Sequence, residues 1–324
     1  MAEAVPLTPV VIVGCQRSGT TLLRTILGRH PALLEHPDEP QYFYWLYQRF
    51  GHEITDVETA VSYLSQHPYL PANIPPERLE AYFRPYSRLS LQEFAKLYLQ
   101  VWGEDELQDK RPILKDPAWI YHLDLVQELF PGAVIIHIIR DPRANVSSQV
   151  SRWPQISVWE AAMAWRQAMR QSHAWKETSP APYVEVTYKN LLQTPKETLQ
   201  YLCRALDLEF VPTMLDFEQK TTLYAPNSQP RQVKYRTLDP SRLYQWREQL
   251  SPADIRLVEL ACQHEMAWLN YEPLNPSVPK SELFRRQVRE VPHYYYKKAG
   301  RSVKAYGRKL SWKLGFGNLP LPQN

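Results

Sequence analysis

Short runs of consecutive β-branched residues alternate along the chain with stretches whose apolar positions recur every third or fourth residue. Pro9-Val10-Val11-Ile12-Val13-Gly14 is the first such run, and it reads as a strand buried on both faces. It passes through Cys15-Gln16-Arg17-Ser18-Gly19 into Thr20–His30, where Leu22, Leu23, Ile26 and Leu27 share one helical face. That helix is expected to stop before Pro31. Pro112-Ile113-Leu114-Lys115-Asp116-Pro117 reads as a second strand with its exit loop. A helix carrying Leu123, Leu125, Val126 and Leu129 follows. Ala133–Ile139 (AVIIHII) is the clearest strand, and Arg140-Asp141-Pro142 opens another helix with proline in its first turn. Residues 157–176 predict an amphipathic helix capped by Ser157, with Val158, Ala162, Trp165, Ala168 and Met169 inward. Tyr183–Val186 reads as a fourth strand, and helices are expected at about 195–206 and 252–268. Strands alternating with helices predict an α/β fold with a parallel sheet, whose ligands belong at the carboxyl ends of the strands. Residues 41–110 are helical patches broken by Pro68, Pro71, Pro75, Pro76 and Pro85, an insertion or cap on that sheet.

Composition narrows the class. The 324 residues are 44% hydrophobic and 22% charged, ordinary globular usage that excludes wholesale disorder and a collagen-like chain. The net charge of +4 is unevenly spread. Residues 275–324 carry eleven Lys/Arg against Glu282 and Glu290, a net of +9, so the body is mildly acidic at −5. Cys15, Cys203 and Cys262 are odd in number and far apart, with no C-x-x-C and no zinc spacing, which favours a reducing compartment. The N-terminal MAEAVPLTPVVIVG lacks a basic leader and no apolar run is long enough to span a membrane, so a cytoplasmic enzyme is expected.

The chemistry begins at Gly14-Cys15-Gln16-Arg17-Ser18-Gly19-Thr20-Thr21, a G-x-x-x-x-G-T-T loop between strand and helix. Such a loop aims backbone N–H groups and a helix dipole at an anion. Ser18, Gly19, Thr20 and Thr21 would add backbone and hydroxyl donors. It is not the nucleoside-triphosphate loop, which has Lys after the last glycine. Here Thr20 holds that place and the positive charge has moved to Arg17. A second constellation lies in IIRDPRANVSSQVSRW, residues 138–153. Arg140 leaves the central strand, and Ser148 and Arg152 share a helix face at i, i+4. An Arg fork, a hydroxyl and a second Arg suit a dianionic phosphate.

GCQRSGTTLL resembles the 5′-phosphosulfate loop of the sulfotransferases that use 3′-phosphoadenosine 5′-phosphosulfate (PAPS). Arg17 is similar to what tyrosylprotein sulfotransferases and many bacterial members carry there. Residues 138–153 resemble the family's 3′-phosphate segment, with Arg140 and Ser148 in its spacing. The resemblance extends over about residues 8–270 and implies a P-loop-like parallel sheet flanked by helices, with residues 41–110 forming the acceptor side. It implies a sulfotransferase domain over residues 1–275, followed by a basic aromatic tail over 276–324. It also implies sulfuryl transfer from PAPS to a hydroxyl or amine by in-line attack, leaving adenosine 3′,5′-bisphosphate (PAP), with no metal because cationic side chains do its work.

In that reading Glu39, in HPDEPQYF, is the general base, with Asp38 and Glu35 as neighbouring alternatives and a plain helix-capping acid as the other possibility. Arg17 and Lys115 are the catalytic cations, although Lys115 could simply be a strand-end lysine partnered by Asp116. Tyr188, in VEVTYKNLL, matches an adenosine-side tyrosine of the family. The basic, proline-broken residues 219–247 match the segment that closes over the nucleotide, with Ser228, Arg231, Lys234 and Arg236 as candidates. The rings of Tyr42 to Tyr47 line an acceptor pocket or fill the core. The acceptor is a small molecule, glycan, lipid or peptide hydroxyl.

Two other functions stay open at this stage. Asp141 after an apolar strand could bind Mg²⁺ in a kinase, although Thr20 replaces the loop lysine. A non-catalytic nucleotide binder is the other. The tail interleaves Lys/Arg with Phe284, Tyr294–Tyr296, Tyr306 and Trp312, which suits either peripheral contact with an anionic membrane or a basic helix lying on the acidic body. No nucleic-acid motif accompanies it, and no nucleic-acid partner is expected.

Overall fold

The computed structural model describes residues 8–66, 74–216, 220–223, 231–234 and 238–313. Five parallel strands form the centre: β1 (Val10–Val13), β2 (Leu33–Glu35), β3 (Arg111–Lys115), β4 (Val134–Ile139) and β5 (Tyr183–Thr187). Their order is β2-β3-β1-β4-β5. In register, Ile12 lies opposite Lys115 on one side and Ile136 on the other. The β-branched run of β1 is buried throughout because alternate side chains feed two cores. Val11 and Val13 point to one face, Val10 and Ile12 to the other. The second face is covered by α1 (Thr20–Leu27) and the Pro195–Ala205 helix, through Leu22, Leu23, Ile26, Leu199 and Leu202. The first face carries α3 (Val158–Thr178) and α4 (Pro252–Trp268), with Trp165 and Leu257 at the contact. Between them α2 (Pro142–Arg152) leaves β4, capped by Asp141, which accepts from Arg143 N at 2.8 Å.

From β1 the chain winds outward to β2 and β3, then crosses to β4 and β5 on the other side. The connections after β1 and β4 therefore diverge, and a crevice opens at the carboxyl edge between them. Among the described residues of 41–110 stand helices at Tyr42–Phe50, Val57–Ser65, Pro76–Phe83 and Leu91–Gly103, tied by a two-residue antiparallel pair, Glu53–Ile54 with Leu89–Ser90. Half of their rings are buried in the core, including Tyr42, Phe43 and Tyr98.

Three expectations need correction. α1 ends at Leu27, not His30, because tight bonds from Arg29 N to Ile26 O and His30 N to Leu27 O turn the chain into β2. β2 itself escaped the pattern: three residues close to Pro31 and Pro37 carry no periodicity. Residues 219–247 are not merely loop, since Lys220–Leu223 pairs antiparallel with Arg231–Lys234 and a helical turn covers Trp246–Gln249.

The tail forms α5 (Lys280–Lys313), which packs on α3, α4 and the Tyr42–Phe50 helix. Arg143 binds the middle of α4, and the segment after it, to α2. It is buried, donates twice to Asp141, and reaches Glu259 Oε1 at 3.1 Å and Glu272 O at 3.0 Å. Removing it takes the nearest guanidinium from the buried Glu259 and leaves that carboxylate to the Leu274 and Asn275 amides and to Arg256 at 4.0 Å. Arg143→Ala is therefore expected to cost about 3 kcal/mol in urea unfolding, the low end for breaking a buried ion pair.

Candidate active site

The loop after β1 is closed by side chains from α2. Asn145 is fully buried, and its amide nitrogen donates to Gln16 O at 2.8 Å and Ser18 Oγ at 3.0 Å. Its Oδ1 accepts from Gln149 Nε2 at 2.7 Å and from the Cys15 thiol at 3.5 Å. Burial pushes that thiol up to about 12. Gly19 takes φ 102°, and a Cβ there would lie 2.6 Å from the Tyr188 ring. A Cβ at Gly14 would lie 2.6 Å from Ile138 O, so the loop presses directly on β4. The glycines are thus required by close approach as well as by conformation. Thr20 is buried in the first turn of α1 and Thr21 is half-buried beside it.

Beyond the loop lies a pocket of about 250 Å³ lined by Arg17, Arg140, Ser148, Arg152, Arg242 and Trp246, among others. Among the described residues, four guanidinium groups face it and no carboxylate does. Arg140 Nη1 donates to Arg17 O at 2.9 Å, and its guanidinium lies 4.7 Å above the Tyr188 ring. Burial pushes Arg140 down, and its buried Nε has no hydrogen-bond partner among the described residues. Arg17 Nε donates to Ser148 Oγ at 3.2 Å. An anion entering here would relieve the crowded charge and satisfy the buried donor. Arg242, Trp246 and Gln249 arrive from far along the chain. Arg143 stacks 4.5 Å over the Trp246 ring, and Ser147 Oγ donates to Gln249 Oε1 at 2.5 Å.

A second centre forms where β2 and β3 end. Lys115, nearly buried, is paired with the half-exposed Glu39 carboxylate. Burial pushes Lys115 down and Glu39 opposes that shift. The neighbouring acids are otherwise engaged. Glu35 pairs with Arg24 at 2.7 Å, and Asp38 faces His36 Nδ1 at 2.9 Å. Arg24 also donates to His36 O at 3.1 Å and Pro37 O at 2.8 Å, tying the segment before Glu39 to α1. His36 Nε2 meets Tyr98 OH at 3.0 Å, and Tyr42 OH donates to that same oxygen at 2.7 Å.

All five strands thus deliver a singled-out residue at their carboxyl ends: the Gly14–Thr21 loop, Glu39, Lys115, Arg140 and Tyr188. The structure gathers Arg17, Arg140, Ser148 and Arg152 around one pocket, whereas Glu39 and Lys115 pair with each other and do not line it. Lys115 takes Glu39 rather than Asp116, and Glu39 does not cap the Tyr42 helix. Ser228 and Arg236 lie outside the described residues, and Lys234 ends a strand. Asp141 caps α2 and binds Arg143, which removes it as a free metal ligand. Sequence reading passed over Asn145, Gln149 and Arg242. The first two carried a signal, since 145, 148, 149 and 152 follow one helical face.

A parallel sheet with an anion-binding loop at its switch point and an arginine-lined pocket beside it defines a P-loop-like nucleotide-binding fold. The chain belongs to the sulfotransferase family, whose model matches residues 9–212. It is 26% identical over 239 residues to a protein-tyrosine sulfotransferase of Drosophila melanogaster, covering 71% of this chain and 44% of that one. The chain spans under half the length of the curated relatives it matches. Among solved structures, the sulfotransferase domain from the curacin biosynthetic pathway superposes with a TM-score of 0.59 at 18% identity, over 83% of this chain and 99% of that domain. The sulfotransferase domain of the Synechococcus PCC 7002 olefin synthase gives 0.53 at 24% identity, over 80% and 96%. Both likenesses show the fold.

Asp116 offers a pH test of the second centre. It is fully buried, with Oδ1 accepting from Ala118 N at 2.9 Å and Oδ2 lacking a partner among the described residues. Burial, then the Glu39 charge, lifts it from 3.8 to about 7. Folded protein then holds a proton that the unfolded chain has lost, so this contribution to stability fades as pH rises between those values and is constant above. In thermal melts, Asp116→Asn is expected to gain on the wild type from about pH 5 to 7, with the gap steady beyond.

Proposed function

We propose that the protein transfers the sulfuryl group of PAPS to a hydroxyl or amine acceptor. The pocket beside the loop, which gathers four arginines and no carboxylate among the described residues, carries this reading. A dianionic 3′-phosphate suits Arg140, Ser148 and Arg152, and Arg242 extends the same cluster. The loop amides and the hydroxyls of Ser18, Thr20 and Thr21 would hold the 5′-phosphosulfate, with Tyr188 on the adenosine side. Bound there, PAPS would supply an activated sulfuryl group, held in a phosphosulfate anhydride.

In the proposed step a bond forms from the acceptor oxygen to sulfur while the bond from sulfur to the 5′-phosphate oxygen breaks, releasing PAP. The acceptor proton passes to Glu39, and Arg17 and Lys115 stabilise charge on the sulfuryl and leaving oxygens. The Lys115 ion pair fixes where the Glu39 carboxylate points. Tyr44 and Trp45, half-buried beyond Glu39, would line the acceptor side, as would His122, which stacks 4.4 Å from Tyr44. The Drosophila relative's name makes a peptide tyrosine one acceptor to try alongside small hydroxyl compounds, glycans and lipids. Three free, buried cysteines are consistent with a cytoplasmic setting.

PAP is expected to stabilise the protein without Mg²⁺, by about 2.7 kcal/mol at a hundredfold excess over Kd. Neither ADP nor ATP should match it, and a Mg²⁺-dependent preference for ATP would instead favour a kinase. Arg140→Ala should abolish the PAP shift in a thermal melt. Glu39→Ala should keep that shift yet lose about 10²–10⁴-fold in sulfate transfer from labelled PAPS.

A further inference from the structure

The C-terminal helix α5 docks by its charged face. Arg286 pairs with Asp254 and Glu290, and Lys297 and Arg301 reach Glu160 at 3.3 and 3.1 Å. The buried Glu290 accepts from Trp159 N at 2.9 Å, at the start of α3. Facing away from the body are Phe284, Val288, Tyr295, Val303, Tyr306 and Leu310, with Phe284 67% and Val303 and Tyr306 each 72% exposed. At about 100° per residue these six fall within an arc of about 100°, nearly opposite the ion-paired positions. Lys280 and Lys298 border one side of the stripe, Arg285 and Arg289 the other. The helix is 34 residues long, so the stripe runs along a rod of about 51 Å.

We infer that this outer face is the seat of an anionic lipid bilayer, on which the protein lies with α5 parallel to the surface. Charge complementarity selects that occupant. The helix holds eleven Lys/Arg against two acids, and its bordering cations are positioned to reach headgroups while the stripe enters the interface. Tyrosines suit that boundary, with the ring in the apolar zone and the hydroxyl in water. None of the residues assigned to the reaction takes part, so the inference stands apart from the proposed function.

The test is co-sedimentation of the full chain with vesicles of phosphatidylcholine, alone or mixed with phosphatidylserine. Binding is expected to the mixed vesicles only and to weaken with added salt. The triple variant Phe284→Ser/Val303→Ser/Tyr306→Ser should bind about tenfold more weakly at an unchanged melting temperature. Absence of binding to mixed vesicles, or equal binding by the variant, would overturn the inference. So would a concentration-dependent dimer, by light scattering, that the triple variant abolishes, since the stripe would then be a contact between copies.

Discussion

Asn145 spends all of its hydrogen-bonding capacity on one task. Two donors fasten Gln16 O and Ser18 Oγ, and the acceptor takes Gln149 and the Cys15 thiol. The loop after β1 is thereby fastened to the helix after β4, across the crevice where the sheet's connections diverge. Arg140 adds a second fastening through Arg17 O. Backbone donors that would otherwise point at random are held around one volume before any ligand arrives. Such preorganisation is what makes charge stabilisation effective in group transfer, because little rearrangement remains at the moment of reaction. The other parts of the pocket lean on the same helix: Ser148 meets Arg17, Ser147 holds Gln249, and Arg143 carries Trp246 into place.

The two centres differ in their electrostatics. The arginine pocket gathers an excess of positive charge, four guanidinium groups among the described residues, at a partly exposed surface. Such an excess is unfavourable alone and favourable with an anion. The Glu39–Lys115 pair is compensated internally and lies against the largely buried Asp38–His36–Tyr98 chain. One centre is built to bind charge, and the other to hold it at a fixed place. They lie on different edges of β1 because β3 and β4 flank it on opposite sides.

What could be read from the sequence follows from how local each cause was. β1 and β4 were legible because strands buried on both faces must be continuously apolar. Arg140, Ser148 and Arg152 were legible together because one strand end and one helix fix their spacing. Asn145 and Gln149 lie on the same helix face, which marks their position, but their uncharged side chains do not by themselves point to an anion site. β2 was illegible because only its pairing with β3, through Leu33 opposite Arg111, makes it a strand. The Glu39–Lys115 contact is a product of that pairing. Arg242 enters the pocket through packing of a segment about a hundred residues downstream of α2, which no local pattern could report.

Cys15 gives the closed loop a measurable lifetime. Its thiol is 1% exposed and bound inside the fastening that Asn145 makes, and its raised pKa leaves almost no thiolate near neutrality. A thiol reagent reaches it only while the fastening is undone. The modification rate of this native side chain therefore counts openings of the loop, and a bound anion should slow that count without any label having been introduced.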